Sequence, residues 1–467
     1  MNTQTSTGKI TLSALVLAVT SGMATTAMAQ GYQIDELSAH RLGDAFSGGA
    51  AEARDASTAH YNPAGLVRLK KTELTGGFSV LSTRVDFTGD AVTADPGNSS
   101  GSGTGVAPVS GGRTADTSSS DVVPHLYFST PLAEGTVLGI ALNAPFASST
   151  DYGSTSPIRY QTVKSEVTGM RLTVSAGQAV STNFSVGGGL IVQRLEGSLS
   201  NAIDASSVCS QVDYAQSGGG AYLCGVAGSG DNDGRVKFEG DDVAFGYTLG
   251  LLYSLTENTR AGFAYRSAIK HKLEGTASVQ IPAAVEPVTA AATSPSFLYT
   301  HSESASFNLN TPESASASLF HQLSPMLSLQ GDVTWTRWSR FQTLDITTAS
   351  GFTVSQPQNW NNNWRFAVGG EYQASDVLAM RAGFALDKSP VPSGQHNLSF
   401  PLKDFKAVSV GMTYAFSSAL AVDAGLQRTL PFKTAVNDGD VATTGSQANG
   451  TSETSTWSAA LGFNWKP

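Results

Sequence analysis

The stretch Val243-Ala-Phe-Gly-Tyr-Thr-Leu-Gly-Leu-Leu-Tyr253 decides the fold class. In an extended chain successive side chains point to opposite faces. One face then carries Val243, Phe245, Tyr247, Leu249, Leu251 and Tyr253, and the other carries Ala244, Gly246, Thr248 and Gly250. Large apolar groups on one side and small groups on the other suit a wall that meets lipid outside and small or polar side chains within. The pattern returns in Trp364 to Tyr372, Leu378 to Leu386 and Val408 to Phe416. A soluble β-sandwich alternates in the same way, so period alone does not settle the class.

The spacing of the segments does more. Strands are predicted near 72–87, 121–131, 136–144, 162–180, 184–199, 235–255, 259–270, 312–323, 326–338, 359–373, 377–387, 404–416, 419–429 and 454–466, an even fourteen. Every second link is short, as at 131–135, 181–183, 256–258, 324–325, 374–376 and 417–418. The links between are long: 88–120, 145–161, 200–234, 271–311, 339–358, 388–403 and 430–453. Short turns on one side and long loops on the other describe an antiparallel transmembrane β-barrel, with turns and both termini in the periplasm. The final strand spaces Trp457, Leu461, Phe463 and Trp465 on one face, which resembles the mark read by outer-membrane assembly machinery.

Composition agrees. Charged residues make up 14% of the 467, against roughly 25% in soluble domains. The formal charge of −9 argues against a nucleic-acid partner. Residues 1–29 read as a secretory signal peptide, with Lys9, a short apolar run from Ile10 to Thr20 and Ala27-Met28-Ala29 as the cleavage site. No later apolar run has helix-spanning length, and an exported chain in lipid then needs a closed barrel. Cys209 and Cys224 lie in a Ser/Gly-rich loop of an exported protein and are expected to form a disulfide. The alternative, a two-cysteine metal site, lacks a nearby histidine.

Residues 30–70 show no sustained alternation. Asn62-Pro63 is a turn signal, and Phe46, Tyr61 and Leu66 offer apolar anchors. A fourteen-stranded barrel leaves a lumen that must be wet or blocked. The segment is therefore read as a hatch inside a barrel of residues 71–467, with Asn62, Pro63, Ala64 and Gly65 as gating candidates.

The stretch through Asn62 to Leu66 (NPAGL) resembles the N-terminal hatch of the FadL family of long-chain fatty acid and hydrocarbon transporters. Asp332 to Phe341 (DVTWTRWSRF) and the stretch from Trp364 to Pro392, with its ALDKSPVP, are similar to the same family, and Ser156 to Val167 more loosely so. The resemblance implies a fourteen-stranded barrel with an N-terminal hatch and passive uptake of hydrophobic molecules; a monomer with no cofactor and no metal is expected. Long-chain fatty acids are the expected ligands and aromatic hydrocarbons the alternative. It also implies hatch movement and exit through a gap in the wall, for which Gly187-Gly188-Gly189 could bend a strand.

Ligand-contact candidates follow from chemistry. Phe146, after Ala144 and Pro145, and Phe297, within the apolar loop 281–300, would offer apolar surface outside. Arg365 and Arg381 alternate toward the lumen and could meet a carboxylate, or could form a wall ladder with Asp332, Glu371 and Asp423. Arg159 and Tyr160 are a further pair for ligand or hatch contact. The histidines after residue 29 are scattered, and no G-x-S-x-G elbow occurs, so an enzyme is not expected. A general porin would conduct ions and need no hatch; an adhesin could use the same loops. Expected partners are the hydrophobic ligand, outer-membrane lipid and lipopolysaccharide.

Overall fold

A computed structural model describes residues 31–95, 105–210, 224–290, 299–351, 353–400 and 402–467. The segment read as a signal peptide and Phe297 lie outside those residues. Among the described residues, fourteen antiparallel strands close into a barrel. In chain order they are β1 (Glu73–Ala94), β2 (Thr114–Ala133), β3 (Thr136–Asp151), β4 (Lys164–Ala179), β5 (Phe184–Asp204), β6 (Asp233–Ser254) and β7 (Thr259–Arg266). The second half is β8 (Ser314–Ser324), β9 (Leu327–Thr336), β10 (Asn363–Ser375), β11 (Leu378–Asp387), β12 (Phe405–Ala415), β13 (Leu420–Gly439) and β14 (Ser446–Trp465). β14 returns to β1 from Leu74–Trp465 to Thr93–Ser446, so the wall has no free outer edge.

The outer face is the apolar one. Val243, Phe245, Tyr247, Leu249, Leu251 and Tyr253 are all exposed, Phe245 at 74%, as a lipid-facing surface requires. Several strands exceed the roughly 9–11 residues that cross a bilayer; β6 has 22. Their upper parts continue the ladder beyond the apolar band, which shortens the predicted loops. Ser446 to Thr456 pairs with β1 throughout and with β13 apart from a bulge between Thr429 and Phe432, yet carries almost no apolar side chain. Backbone pairing persists there after the lipid-facing pattern has ended. Two further hairpin-like pairs, Lys272–Gln280 with His301–Asn308 and Thr343–Thr348 with Thr353–Pro357, extend the sheet above β6. Where the loop 281–300 is described, Ile281 and Val285 are buried against Ala205, Cys209 and Cys224, while Tyr299 is exposed. The two cysteines are joined, with Cα atoms 5.4 Å apart.

Residues 31–70 lie against the inner faces of strands around the whole wall. The Ser38 hydroxyl caps the turn Ala39–Leu42, and Asn62 caps a 3₁₀ turn at Pro63–Arg68 with proline in the first position. Tight approach is possible because the inner face is small. A Cβ at Gly250 would stand 1.9 Å from Asn62 Oδ1, and one at Gly187 would stand 2.3 Å from the Ala64 nitrogen. Gly187 to Gly189 therefore does not bend the wall. Its ladders with β4 and β6 run without a break.

Candidate functional site: groove, cavity and wall slit

The bend lies in β3. Alternation of burial holds from Thr136 to Asn143, then Ala144 to Ser148 are all buried. Pro145 cannot donate to a ladder, and the register with β4 shifts between Asn143 and Phe146. β2 and β3 pair up to His125–Asn143 and then separate. Above that point, among the barrel strands, residues 118–124 of β2 pair only with β1, and residues 146–151 of β3 only with β4. The strands meet again where the Asp151 amide donates to Thr117 Oγ1 at 3.1 Å. The result is a slit in the wall, closed at both ends.

The start of the described chain replaces the missing partner. The Ile34 amide donates to Pro145 O at 3.1 Å, and the Ala147 amide donates to Tyr32 O at 2.8 Å. Gln33 and Phe146 form an antiparallel bridge. Tyr32 enters an aromatic cluster, with its ring centroid 4.7 Å from Trp338 and 5.7 Å from Phe146. Its hydroxyl donates to Asn310 O at 2.7 Å. Phe341, Trp360 and Phe400 complete the cluster. Phe146 is thus a buried lumen residue rather than part of an exposed loop. The strand carries it inward at the bend.

An apolar route runs past this cluster. Outside lies a groove of about 1050 Å³, lined by Tyr160, Leu199, Phe238, Val279, Leu344 and Ile346 among others. Leu344 and Ile346 also belong to the aromatic cluster. Inside lies a cavity of about 70 Å³ that includes Phe146, Pro145, Ile34, Arg171, Arg266 and Arg365. Tyr32 and Phe146 separate the two spaces.

The basic residues sort into two kinds. Arg365 faces the lumen as predicted, but pairs with Asp35 of the hatch at 2.8 Å, with Asp332 and Asp387 at 3.7 and 3.9 Å. Arg381 pairs with Glu371 at 3.0 Å and Asp423 at 3.1 Å. Arg159 is buried among loops, where it pairs with Asp233 and donates to Ser110 O at 2.8 Å and Gly228 O at 3.0 Å. It touches neither the hatch nor the inner cavity, whereas Tyr160 lines the groove. Two arginines that sequence reasoning passed over differ from these. Arg171 is buried, takes Gln193 Oε1 at 2.7 and 3.1 Å and lies over the Phe146 ring. Arg266 donates to His60 O at 2.7 Å. Among the described residues neither has a carboxylate in an ion pair. Inward alternation of Arg171 with Thr173 and Ser175 was the available signal.

The hatch itself is knotted to the wall. Arg41 holds Glu52 at 2.9 Å, His40 bridges Glu52 and Asp423 at 3.3 Å each, and Arg54 pairs with Glu371. Burial and Arg381 draw the His40 imidazolium down, but Glu52 and Asp423 prevail and hold it up at about 9. Burial resists ionisation of Glu52, yet His40 and Arg41 bring it well below the carboxylate range. Burial pushes Asp44 and Glu36 up to about 7. His40, Asp44 and Glu52 cluster closely enough to ligate a metal, but with guanidinium groups paired into the same knot it is an ion-pair network. Asn62, Pro63, Ala64 and Gly65 are the firmest seat. Asn62 Nδ2 donates to Ala50 O at 2.6 Å and to Leu251 O at 2.9 Å, and Ser185 Oγ donates to Ala64 O at 2.8 Å.

Residues 20–466 match the family model of the outer membrane protein transport proteins, OMPP1/FadL/TodX. A putative outer membrane protein of Neisseria meningitidis is 28% identical over 423 residues, 88% of each chain. The long-chain fatty acid transport protein of Escherichia coli is 26% identical over 445 residues, covering 92% of this chain and 94% of that one. Among solved structures, a Pseudomonas aeruginosa FadL homologue superposes with a TM-score of 0.81 at 26% identity, over 93% of this chain and 99% of its own. The Pseudomonas putida toluene transporter TodX shares the fold, with a TM-score of 0.69 at 17% identity over 93% and 99%.

Proposed function

The chain belongs to the outer membrane protein transport family OMPP1/FadL/TodX, and we propose that this member takes up long-chain fatty acids. It is an outer-membrane transporter of hydrophobic compounds. The observation that carries the finer reading is the pair Arg171 and Arg266. Arg171 is buried and Arg266 half-buried, and a guanidinium that borders a cavity without a carboxylate invites one from the ligand. The bulky apolar tail would lie along Phe146 and the aromatic cluster. The similarity to a long-chain fatty acid transport protein supports the same choice.

The ligand would collect in the outer groove, displace Tyr32 from the aromatic cluster and enter the cavity. Residues Tyr32 to Ile34 would leave Pro145 and Ala147 as they move, and the slit would become the exit. Asn62 to Gly65 would anchor the hatch meanwhile. No step makes or breaks a covalent bond, so the reading is of a transporter without catalysis. The barrel would act as a monomer within lipopolysaccharide, its final strand marking it for the assembly machinery.

Oleate and toluene uptake by cells lacking their own transporter, carrying this chain or its Arg171→Leu and Arg266→Leu variants, tests the reading. Each arginine removed should weaken oleate binding about 10- to 100-fold, the worth of a hydrogen bond to a charged group. Toluene uptake should be unchanged. Uptake of toluene but not oleate by the unaltered chain would reverse the assignment.

A further inference from the structure

The slit holds a charged side chain that the route above does not use. Asp121 stands halfway along the unpaired edge of β2, points inward and is only 2% exposed. No described donor reaches either of its oxygens in hydrogen-bonding geometry. The Ser119 hydroxyl, two positions along the same face, is close enough to favour the carboxylate as a weak, poorly aligned donor, and Glu166 of β4 adds a second negative group. Other polar atoms on the strands flanking the slit are in the same condition. Ser79 Oγ on β1, and Ser148 Oγ and Thr150 Oγ1 on β3, are buried without a partner. Ser79 is paired with Val123, two residues from Asp121. Buried polar groups are ordinarily satisfied, and an unpaired one costs free energy. By contrast, Arg365 and Asp332 in the cavity lining already meet opposite charges.

We propose that Asp121 is a specificity-determining residue of the slit, where it receives the carboxyl head of a departing fatty acid. The inference rests on the fatty-acid reading. Two carboxyl groups this close cannot both be ionised, so they share one proton in a short O–H···O bond. The proton comes from a water molecule as the head leaves Arg171 and Arg266, and the hydroxide left behind stays in the aqueous phase, where buffer neutralises it. It stays with the fatty acid, which enters the lipid uncharged, and Asp121 is left as it began. The head group would otherwise cross an apolar wall as a desolvated anion, which is strongly disfavoured. A neutral hydrocarbon has no use for Asp121.

Radiolabelled oleate and methyl oleate, offered to cells carrying the full chain, Asp121→Leu or Asp121→Asn, separate the cases. Asp121→Leu should slow oleate uptake about tenfold, the worth of one such hydrogen bond, and leave methyl oleate unchanged. Asp121→Asn keeps a hydrogen-bonding group of the same shape and should fall between. Methyl oleate uptake also reports that each variant is folded and inserted. Oleate uptake untouched by Asp121→Leu would overturn this inference alone, as would equal loss of both ligands, which would make Asp121 a residue that merely shapes the slit. An unaltered chain that takes up methyl oleate but not oleate would overturn the fatty-acid reading and this inference with it.

Discussion

A Cβ at Gly250 would lie 1.9 Å from Asn62 Oδ1, so no larger residue fits there while the hatch is seated. Gly250→Val should force Asn62 off its bonds to Ala50 O and Leu251 O, at a cost of about 1–3 kcal/mol by overpacking. The barrel should still assemble, because Gly250 keeps its ladder with Gly187 and Ala264. Planar-bilayer recordings should then show brief openings absent from the unaltered chain; silent recordings would place the seal elsewhere. At this scale sequence reading reaches direction and the partners along the wall, but not the partners on the hatch. Alternation puts Gly250, Arg365 and Arg381 inward, as found. The wall ladder of Arg365 and Arg381 with Asp332, Glu371 and Asp423 was legible as well; that Asp35 of the hatch sits against Arg365, or that Arg171 is spared a carboxylate, was not, because Asp35 and Arg365 meet across 330 positions of chain. Phe146 was misread for the same reason. An Ala-Pro-Phe run looks like a loop until a hatch residue is seen to pair with it.

At the scale of the element, the hatch is held by groups whose charge depends on pH. His40 has its proton retained up to about 9, above the ordinary imidazole value near 6.5. Its contribution to seating is complete below about 6.5 and is lost as pH rises through 9. Glu36 and Asp44, raised to about 7, are held in their neutral form, so ionising them between about 4 and 7 also loosens the hatch. Glu52 is lowered and works in the opposite sense, contributing above its ordinary value and losing that as acid protonates it. Seating should therefore be firmest in mild acid. Proteolysis of residues 31–70 in detergent-purified barrel should quicken steadily from pH 6 to 10; a flat profile would remove His40 from the latch. The strands were legible because lipid on one face and a cramped interior on the other impose period 2. The upper strand segments and the hairpin at 343–357 were not, because beyond the apolar band both faces carry polar residues while the backbone goes on pairing.

For the whole molecule, the groove, aromatic cluster, cavity and slit form one path only if something moves between the groove and the slit. Two places on the hatch could give way. The seat at Asn62 to Gly65 is pinned to the wall by two side-chain bonds, to Leu251 O and from Ser185, and by the close approach at Gly187 and Gly250. The end at Tyr32 to Ile34 is held to β3 by two backbone bonds, by the Tyr32 ring within the aromatic cluster and by the Tyr32 hydroxyl on Asn310 O, and it borders the cavity and the slit. The cheaper motion is at that end. Cysteines at Gln33 and Phe146, opposite one another in the bridge, should lock it when oxidised. Cysteines at Ala64 and Ser185 should lock the seat instead. In a background with Cys209 and Cys224 replaced by serine, oxidising the first pair should stop oleate uptake and reduction should restore it. Oxidising the second pair should leave uptake within about twofold, since a barrier change under RT ln 2, about 0.4 kcal/mol, is all a bystander lock imposes. The reverse result would mean that the whole hatch swings on its way to the periplasm, and the slit would then be a structural seam rather than a door.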